Sequence, residues 1–277
     1  MILFPNAKIN LGLNVVRRRP DGYHDIETLF YPVPWCDILE IVPSKGTTTT
    51  LTVTGRSVDC PPEKNLVMKA YMALDKLSPL PPVDIYLQKI IPDGAGLGGG
   101  SADAAFTLLG LNRLFGLGFS DEELAATATT IGADCPFFIY NRPMLASGIG
   151  NILSPIDIDL SSMTIAIVKP PVHVSTKEAY AGIVPSIPDI DLRTTLLDPV
   201  DCWRGVLKND FETSIFPLHP EISAVKNRLY EMGANYAAMS GSGAAVFGLF
   251  TESSDILADK ISNCFPDCDR LVSQLTL

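Results

Sequence analysis

Residues 93–103 read DGAGLGGGSAD, with five glycines between Gly94 and Gly100. A glycine inside a helix or strand costs roughly 0.5–1 kcal/mol relative to alanine, so the cluster needs a local use. The stretch before it, VDIYLQKI (83–90), alternates as a strand, and the stretch after it, SADAAFTLLGLNRLF (101–115), is small and apolar in the manner of a helix. A flexible loop opening a helix presents backbone N–H groups and the positive end of a helix dipole to an anion. A triphosphate fits at Gly98 to Ala102. A tight turn or close helix packing would use the same glycines.

Two common nucleotide motifs fit the context poorly. Gly94, Gly96 and Gly99 satisfy G-x-G-x-x-G, but a dinucleotide fold needs a second parallel strand ending in an acidic residue about 20 positions on. That region holds Ser120 and Glu123, a capping-box pattern that starts a helix. The P-loop needs a lysine before its Ser or Thr, and Gly100 occupies that place.

The chain has 277 residues, 47% of them hydrophobic, enough for a sizeable core and of a length that suits one large or two ordinary domains; two domains sharing an interface are expected. With 21 lysines and arginines against 31 aspartates and glutamates, the formal net charge is −10. That charge argues against a nucleic-acid groove or an anionic membrane surface as partner. The N-terminal MILFPNAKINLGLNVV lacks a basic n-region and carries Pro5 and Lys8, so no signal peptide is expected, and no transmembrane span is apparent. The six cysteines contain no C-x-x-C pair and read as reduced thiols. A cytoplasmic protein is expected.

Ile9, Leu11, Leu13 and Val15 alternate with polar or small residues, predicting a strand over 7–16 with one buried face and a polar face of Asn6, Lys8 and Asn10. Further strands are expected around 27–33, 37–43 and 47–54. Asn65 caps a helix with Leu66, Ala70, Ala73 and Leu77 in helical spacing. Beyond a change of texture around 145–160, the pattern predicts a strand over 163–170, a proline-punctuated loop over 185–199 and a helix over 220–233. MSGSGAAVFGLF (239–250) is a small-residue turn leading into a strand, followed by a helix over 254–264 and a strand over 270–276. Taken singly, Lys8 fits a solvent-facing lysine or a lined site, and Asp134 a turn before Pro136 or a catalytic carboxylate. Asn65 fits a cap, Lys89 a strand-end charge, and Tyr180 a core aromatic.

PNAKINLGLNVVRRRPDGYHDIET, NLVMKAY, PDGAGLGGGSADAA, GADCPFF and SGSGAAVF occur in this order along nearly the whole chain. The set resembles the diphosphocytidyl-methylerythritol kinases of the GHMP superfamily of small-molecule kinases. The resemblance implies an α+β, two-domain GHMP-kinase-like fold with an active-site cleft between the domains. It places an N-terminal ATP-binding and catalytic domain at 1–155 and a C-terminal α+β domain at 156–277. The implied activity is ATP-dependent phosphorylation of the 2-hydroxyl of diphosphocytidyl-methylerythritol in non-mevalonate isoprenoid precursor synthesis. ATP is then co-substrate, with Mg2+, and the partner is a small cytidylyl molecule. Another GHMP kinase, acting on mevalonate, a sugar or homoserine, and a non-catalytic nucleotide-binding module are the alternatives.

Residue by residue, the resemblance makes Lys8 and Asp134 the catalytic pair. It assigns ATP to Asn65, Lys89, Gly94, Gly96, Gly98, Gly99, Gly100 and Ser101, with Asn65 and Lys89 near the adenine. It assigns the cytidylyl substrate to Asn10, Tyr23, His24, Thr176 and Tyr180. Ala102 stands where the family more often has a second serine, which leaves Ser101 as the hydroxyl to meet phosphate or magnesium, with Asp103 in the same helical turn. Metal ligands and oligomeric state stay unassigned.

Overall fold

A computed structural model describes residues 1–58 and 60–275. Its strands are β1 Ile2–Leu3, β2 Asn6–Arg18, β3 His24–Cys36, β4 Ile38–Pro43, β5 Thr50–Gly55, β6 Val83–Lys89, β7 Met144–Ser147, β8 Ile152–Pro155, β9 Thr164–Lys169, β10 Tyr236–Met239, β11 Val246–Phe250 and β12 Asp269–Gln274. Its helices are α1 Leu66–Leu77, α2 Gly99–Phe115, α3 Asp121–Thr129, α4 Cys135–Tyr140, α5 Thr176–Ala181, α6 Leu192–Leu196, α7 Phe211–Ile215, α8 Pro220–Glu231 and α9 Ser254–Cys264. The last residue of the strand expected over 270–276 lies outside the described residues.

The chain forms two compact units. One comprises Met1–Ala7, Trp35–Asp93 and Gly98–Arg142; the other comprises Lys8–Pro34, Gly94–Leu97 and the chain from Pro143 onward. This differs from the expected split into 1–155 and 156–277, because β2, β3 and the glycine loop each contribute residues to both units.

In the first unit β1, β4, β6 and β5 form a sheet in that order, antiparallel except for the parallel pair β5 and β6. Period-two alternation sends Val83, Ile85, Leu87 and Lys89 of β6 to the buried face. The Asn65 side chain accepts from Val67 N and starts α1, whose buried stripe is Val67, Ala70 and Leu74, offset by one position from much of the predicted stripe. On α2, Gly110 faces Leu3 and Ile41; a Cβ there would come within 2.6 Å of Leu3 Cδ1, so the missing side chain lets helix and sheet meet. The predicted capping box of Ser120 and Glu123 forms and opens α3. Cys135–Tyr140 is a short helix with Pro136 in its first turn.

The second unit contains the antiparallel sheet β10-β11-β9-β12. Its core joins Val15, Ala166 and Val168 from strands to Ile222, Val225 and Leu229 of α8 and Leu257 and Ile261 of α9. A further sheet runs β2-β3-β7-β8. The expected loop over 185–199 includes α6, capped by the Asp191 side chain accepting from Thr194 N.

β2 departs most from expectation: residues 6–15 are buried on both faces. The polar face tolerates this because its groups find partners. Asn10 Nδ2 donates to Thr28 Oγ1 at 3.0 Å, and Thr28 Oγ1 donates to the Gly12 carbonyl at 2.5 Å. Among the described residues no helix is long and apolar enough to cross a membrane.

Candidate active site

The glycine loop alternates left-handed glycines with buried apolar residues. Gly94, Gly96 and Gly98 have φ of +59°, +73° and +73°, whereas Ala95 and Leu97 are 2% and 1% exposed. Gly98 is the N-cap of the 17-residue α2, which starts two positions earlier than expected. The left-handed turn exposes the first N–H groups of the helix, the arrangement that binds phosphate. Gly100 is exposed, and a Cβ there would meet only Leu66 at 3.6 Å. Gly99 differs: its Cβ would press on Ile91 at 3.0 Å and on Lys89 Nζ at 3.4 Å, so its missing side chain serves close packing.

Lys8, Asn10, Tyr23, His24, Gly94, Gly96, Thr176 and Tyr180 belong to the second unit, and the other predicted site residues to the first. Within the second unit Lys8 is stapled to the glycine loop. Its backbone N–H donates to the Leu97 carbonyl at 2.9 Å; its ammonium donates to Gly96 O at 3.2 Å and Asn10 Oδ1 at 2.6 Å. Lys8 is 3% exposed, and its ammonium lies 4.9 Å from the Phe30 ring centroid. The SGSG segment meets the same loop, because Ser240 Oγ donates to Gly96 O at 2.8 Å. Asn209 holds that segment from behind through bonds to the carbonyls of Met239 and Gly241, at 2.7 and 2.8 Å. A Cβ on Gly96 would lie 1.9 Å from the Ser240 carbonyl oxygen, so only glycine fits.

Tyr23 is exposed at 61%. His24 stacks on Tyr180 with centroids 4.6 Å apart and planes 18° apart, and Tyr180 meets Phe211 edge-on. Burial, with a smaller contribution from Arg18, lowers the His24 pKa. Thr176 is the exposed first residue of α5.

Within the first unit Asp134 is the half-buried N-cap of α4, and its side chain makes no capping bond. The next residue, Cys135, is buried, and burial of the thiol, opposed by neighbouring Ser101, pushes its pKa up to about 11. The first turn of α2 and the start of α4 are therefore neighbours. Asn65 is 8% exposed and caps α1 with Oδ1 bonded to Val67 N at 3.0 Å.

Lys89 is held differently from a strand-end charge. Its ammonium, 6% exposed in the residue as a whole, donates to Asp37 Oδ2 and to Asp103 Oδ2, the latter at 2.7 Å. Burial opposes the charge, but the two carboxylates outweigh it and raise the Lys89 pKa. Asp37 had no signal in the sequence. Only the alternation of β6 hinted that Lys89 faces inward and needs a partner.

Among described residues no group of three or more His, Cys, Asp or Glu side chains is arranged to hold a metal. Asp103 is 2% exposed, and its Oδ2 accepts from Lys89.

Two family models match: GHMP kinases N terminal domain over residues 65–142, and GHMP kinases C terminal over 201–267. Fold and matches together define the class, a two-domain α+β small-molecule kinase of the GHMP type. The chain is 54% identical over 276 residues, spanning 100% of both chains, to a protein of Parabacteroides distasonis named 4-diphosphocytidyl-2-C-methyl-D-erythritol kinase. A Bacteroides fragilis protein of the same name is 52% identical, with 92% of this chain and 94% of that one covered. A solved structure of 4-(cytidine 5'-diphospho)-2C-methyl-D-erythritol kinase superposes with a TM-score of 0.83 at 33% identity, covering 98% of each chain. The chain belongs to the 4-diphosphocytidyl-2-C-methyl-D-erythritol kinase family.

Proposed function

We propose that this chain transfers the γ-phosphoryl group of ATP to the 2-hydroxyl of diphosphocytidyl-methylerythritol, a step toward isoprenoid precursors by the non-mevalonate route. The observation that carries this reading is the attachment of Lys8 to the glycine loop by backbone and side chain at once. It joins the lysine implied in catalysis to the loop implied in phosphate binding.

In this reading the first N–H groups of α2 hold the nucleotide phosphates, with Gly94, Gly98 and Gly100 keeping the backbone accessible, Gly96 and Gly99 letting the loop pack closely beneath it, and Ser101 adding a hydroxyl. Asn65 and Lys89 belong to the nucleotide side. The substrate hydroxyl oxygen attacks the γ-phosphorus as its proton passes to the Asp134 carboxylate. The bond from the γ-phosphorus to the β–γ bridging oxygen breaks, and ADP leaves. Lys8 offsets the negative charge gathered there. Phosphoryl transfer needs mainly positioning and electrostatic stabilisation, which these groups supply. Asn10 orients Lys8, while Tyr23, His24, Thr176 and Tyr180 form the cytidylyl side.

Mg2+ is expected with ATP. It prefers oxygen ligands, keeps several waters and is commonly held by substrate phosphates with one or two protein oxygens. The residues present fit an ion carried in by the nucleotide, to which the Ser101 hydroxyl in the phosphate-binding turn would offer one oxygen. The ion would supply charge neutralisation on the phosphates. A cytoplasmic setting accords with the free thiols of all six cysteines.

A coupled ADP-release assay tests the proposal with diphosphocytidyl-methylerythritol, mevalonate, homoserine and a hexose offered in turn. Turnover with the cytidylyl compound alone is expected. Preference for another alcohol, or ATP binding without turnover of any, would overturn it.

A further inference from the structure

Asp37 stands at the junction of β3 and β4 and is fully buried. Its Oδ1 accepts the N–H groups of Ile90 and Ile91, at 2.5 and 2.9 Å, where β6 gives way to the glycine loop. Its Oδ2 accepts from Lys89 Nζ, and the same ammonium reaches Asp103 Oδ2 in α2 at 2.7 Å. Lys89 Nζ also lies directly under Gly99. A continuous path thus runs from the strand entering the loop to the helix leaving it, entirely within the first unit.

We propose that the Asp37–Lys89–Asp103 bridge is the positioning device of the phosphate loop, fixing the direction in which the first N–H groups of α2 point. The inference deepens the nucleotide-binding part of the proposed function and rests on it. Asp37 and Asp103 are positioning residues: both are buried and act through Ile90, Ile91 and the helix start.

Stability alone accounts poorly for the cluster. Buried ion pairs return little net stability, and apolar replacements of similar volume are often neutral or stabilising. Here two carboxyl groups share one ammonium, and among the described residues Asp103 Oδ1 has no hydrogen-bond partner. Removing Asp103 leaves a balanced Lys89–Asp37 pair, so the fold has little to lose. The direction of α2 does, since misplacing catalytic or binding groups by about 1 Å can cost on the order of 10²-fold.

The test uses the full chain as Asp103→Leu, which removes the acceptor at similar volume, and Asp103→Asn, which keeps an acceptor for Lys89. Calorimetric ATP affinity, KM for ATP, KM for the cytidylyl substrate and Tm are measured for each. Asp103→Leu is expected to weaken ATP binding at least about tenfold, with cytidylyl KM within about twofold and Tm near that of the parent. Asp103→Asn is expected to restore ATP binding to within about threefold. Unchanged ATP affinity in folded Asp103→Leu, equal losses for both ligands, or no rescue by Asp103→Asn would overturn the proposal. If Asp103→Leu does not fold, Asp103→Ser, too short to reach Lys89, is judged by the same criteria. ATP affinity reads the bridge even if the cytidylyl compound proves not to be the substrate, so failure of that assignment is separable.

Discussion

His24 and Tyr180 stack on each other, with centroids 4.6 Å and planes 18° apart. Rings this close are in contact, so a pyrimidine cannot lie between them and must take an outer face or separate the pair. Stacking of a base on an aromatic is worth about 1–3 kcal/mol by alanine substitution, but it accepts any pyrimidine. Discrimination must come from hydrogen bonds, which can reject a wrong partner by about 10⁴ when buried groups would go unpaired. The expected result is strong preference for the cytidylyl over the uridylyl substrate. Tyr180→Ala should weaken both and His24→Ala should narrow the gap; kcat/KM values measured side by side check this, and an unchanged ratio in His24→Ala would assign base reading to other groups.

Asp134→Asn keeps the shape of the α4 N-cap while removing the proton acceptor. Loss of a general base typically lowers rate about 10²–10⁴-fold. The expected outcome is a fall of that size in kcat with ATP affinity unchanged, read by steady-state kinetics and calorimetry on folded protein. Near-normal turnover would remove Asp134 from the chemistry.

Gly100→Asp separates phosphate binding from stability by their signs. Replacing a helical glycine gains up to roughly 0.5–1 kcal/mol, and a carboxylate in the first turn adds about 0.3–1 kcal/mol. Space exists for it, with only Leu66 among the described residues within 4 Å of the added Cβ. Against a bound phosphate the same charge costs about 1–4 kcal/mol at 4 Å. Tm should hold or rise while ATP affinity falls roughly fivefold to nearly a thousandfold; a loss of both together would mean the helix start is structural only.

Asp103 gives a pH dependence of known sign. Burial, opposed by Lys89 and reinforced by Asp37, raises its pKa from 3.8 to about 7. Between those values the native state holds a proton that the unfolded chain has released, so this contribution to stability is lost as pH rises toward and through 7. Asn cannot ionise. Urea unfolding at pH 5 and pH 8 should therefore show Asp103→Asn gaining on the parent at the higher pH, and the opposite trend would show that the carboxylate is ionised in the fold.

Local patterns determined much of this protein. The strand–glycine–helix order, the Asn65 cap, the Ser120–Glu123 capping box and the alternation of β6 each depend on residues a few positions apart, and each formed. The family motifs likewise identified the kinase class from short stretches. Tertiary structure alone decided the burial of both faces of β2, because the partner that satisfies Asn10 is Thr28 on another strand. It alone bonded Lys8 and Ser240 to one carbonyl, Gly96, across 88 and 144 residues. It alone brought Asp37 to Lys89, 52 residues away, and turned an apparent strand-end charge into the centre of a buried bridge. Hydrophobic period and caps are written in neighbouring residues, whereas a buried charge finds its partner only after the chain has closed around it.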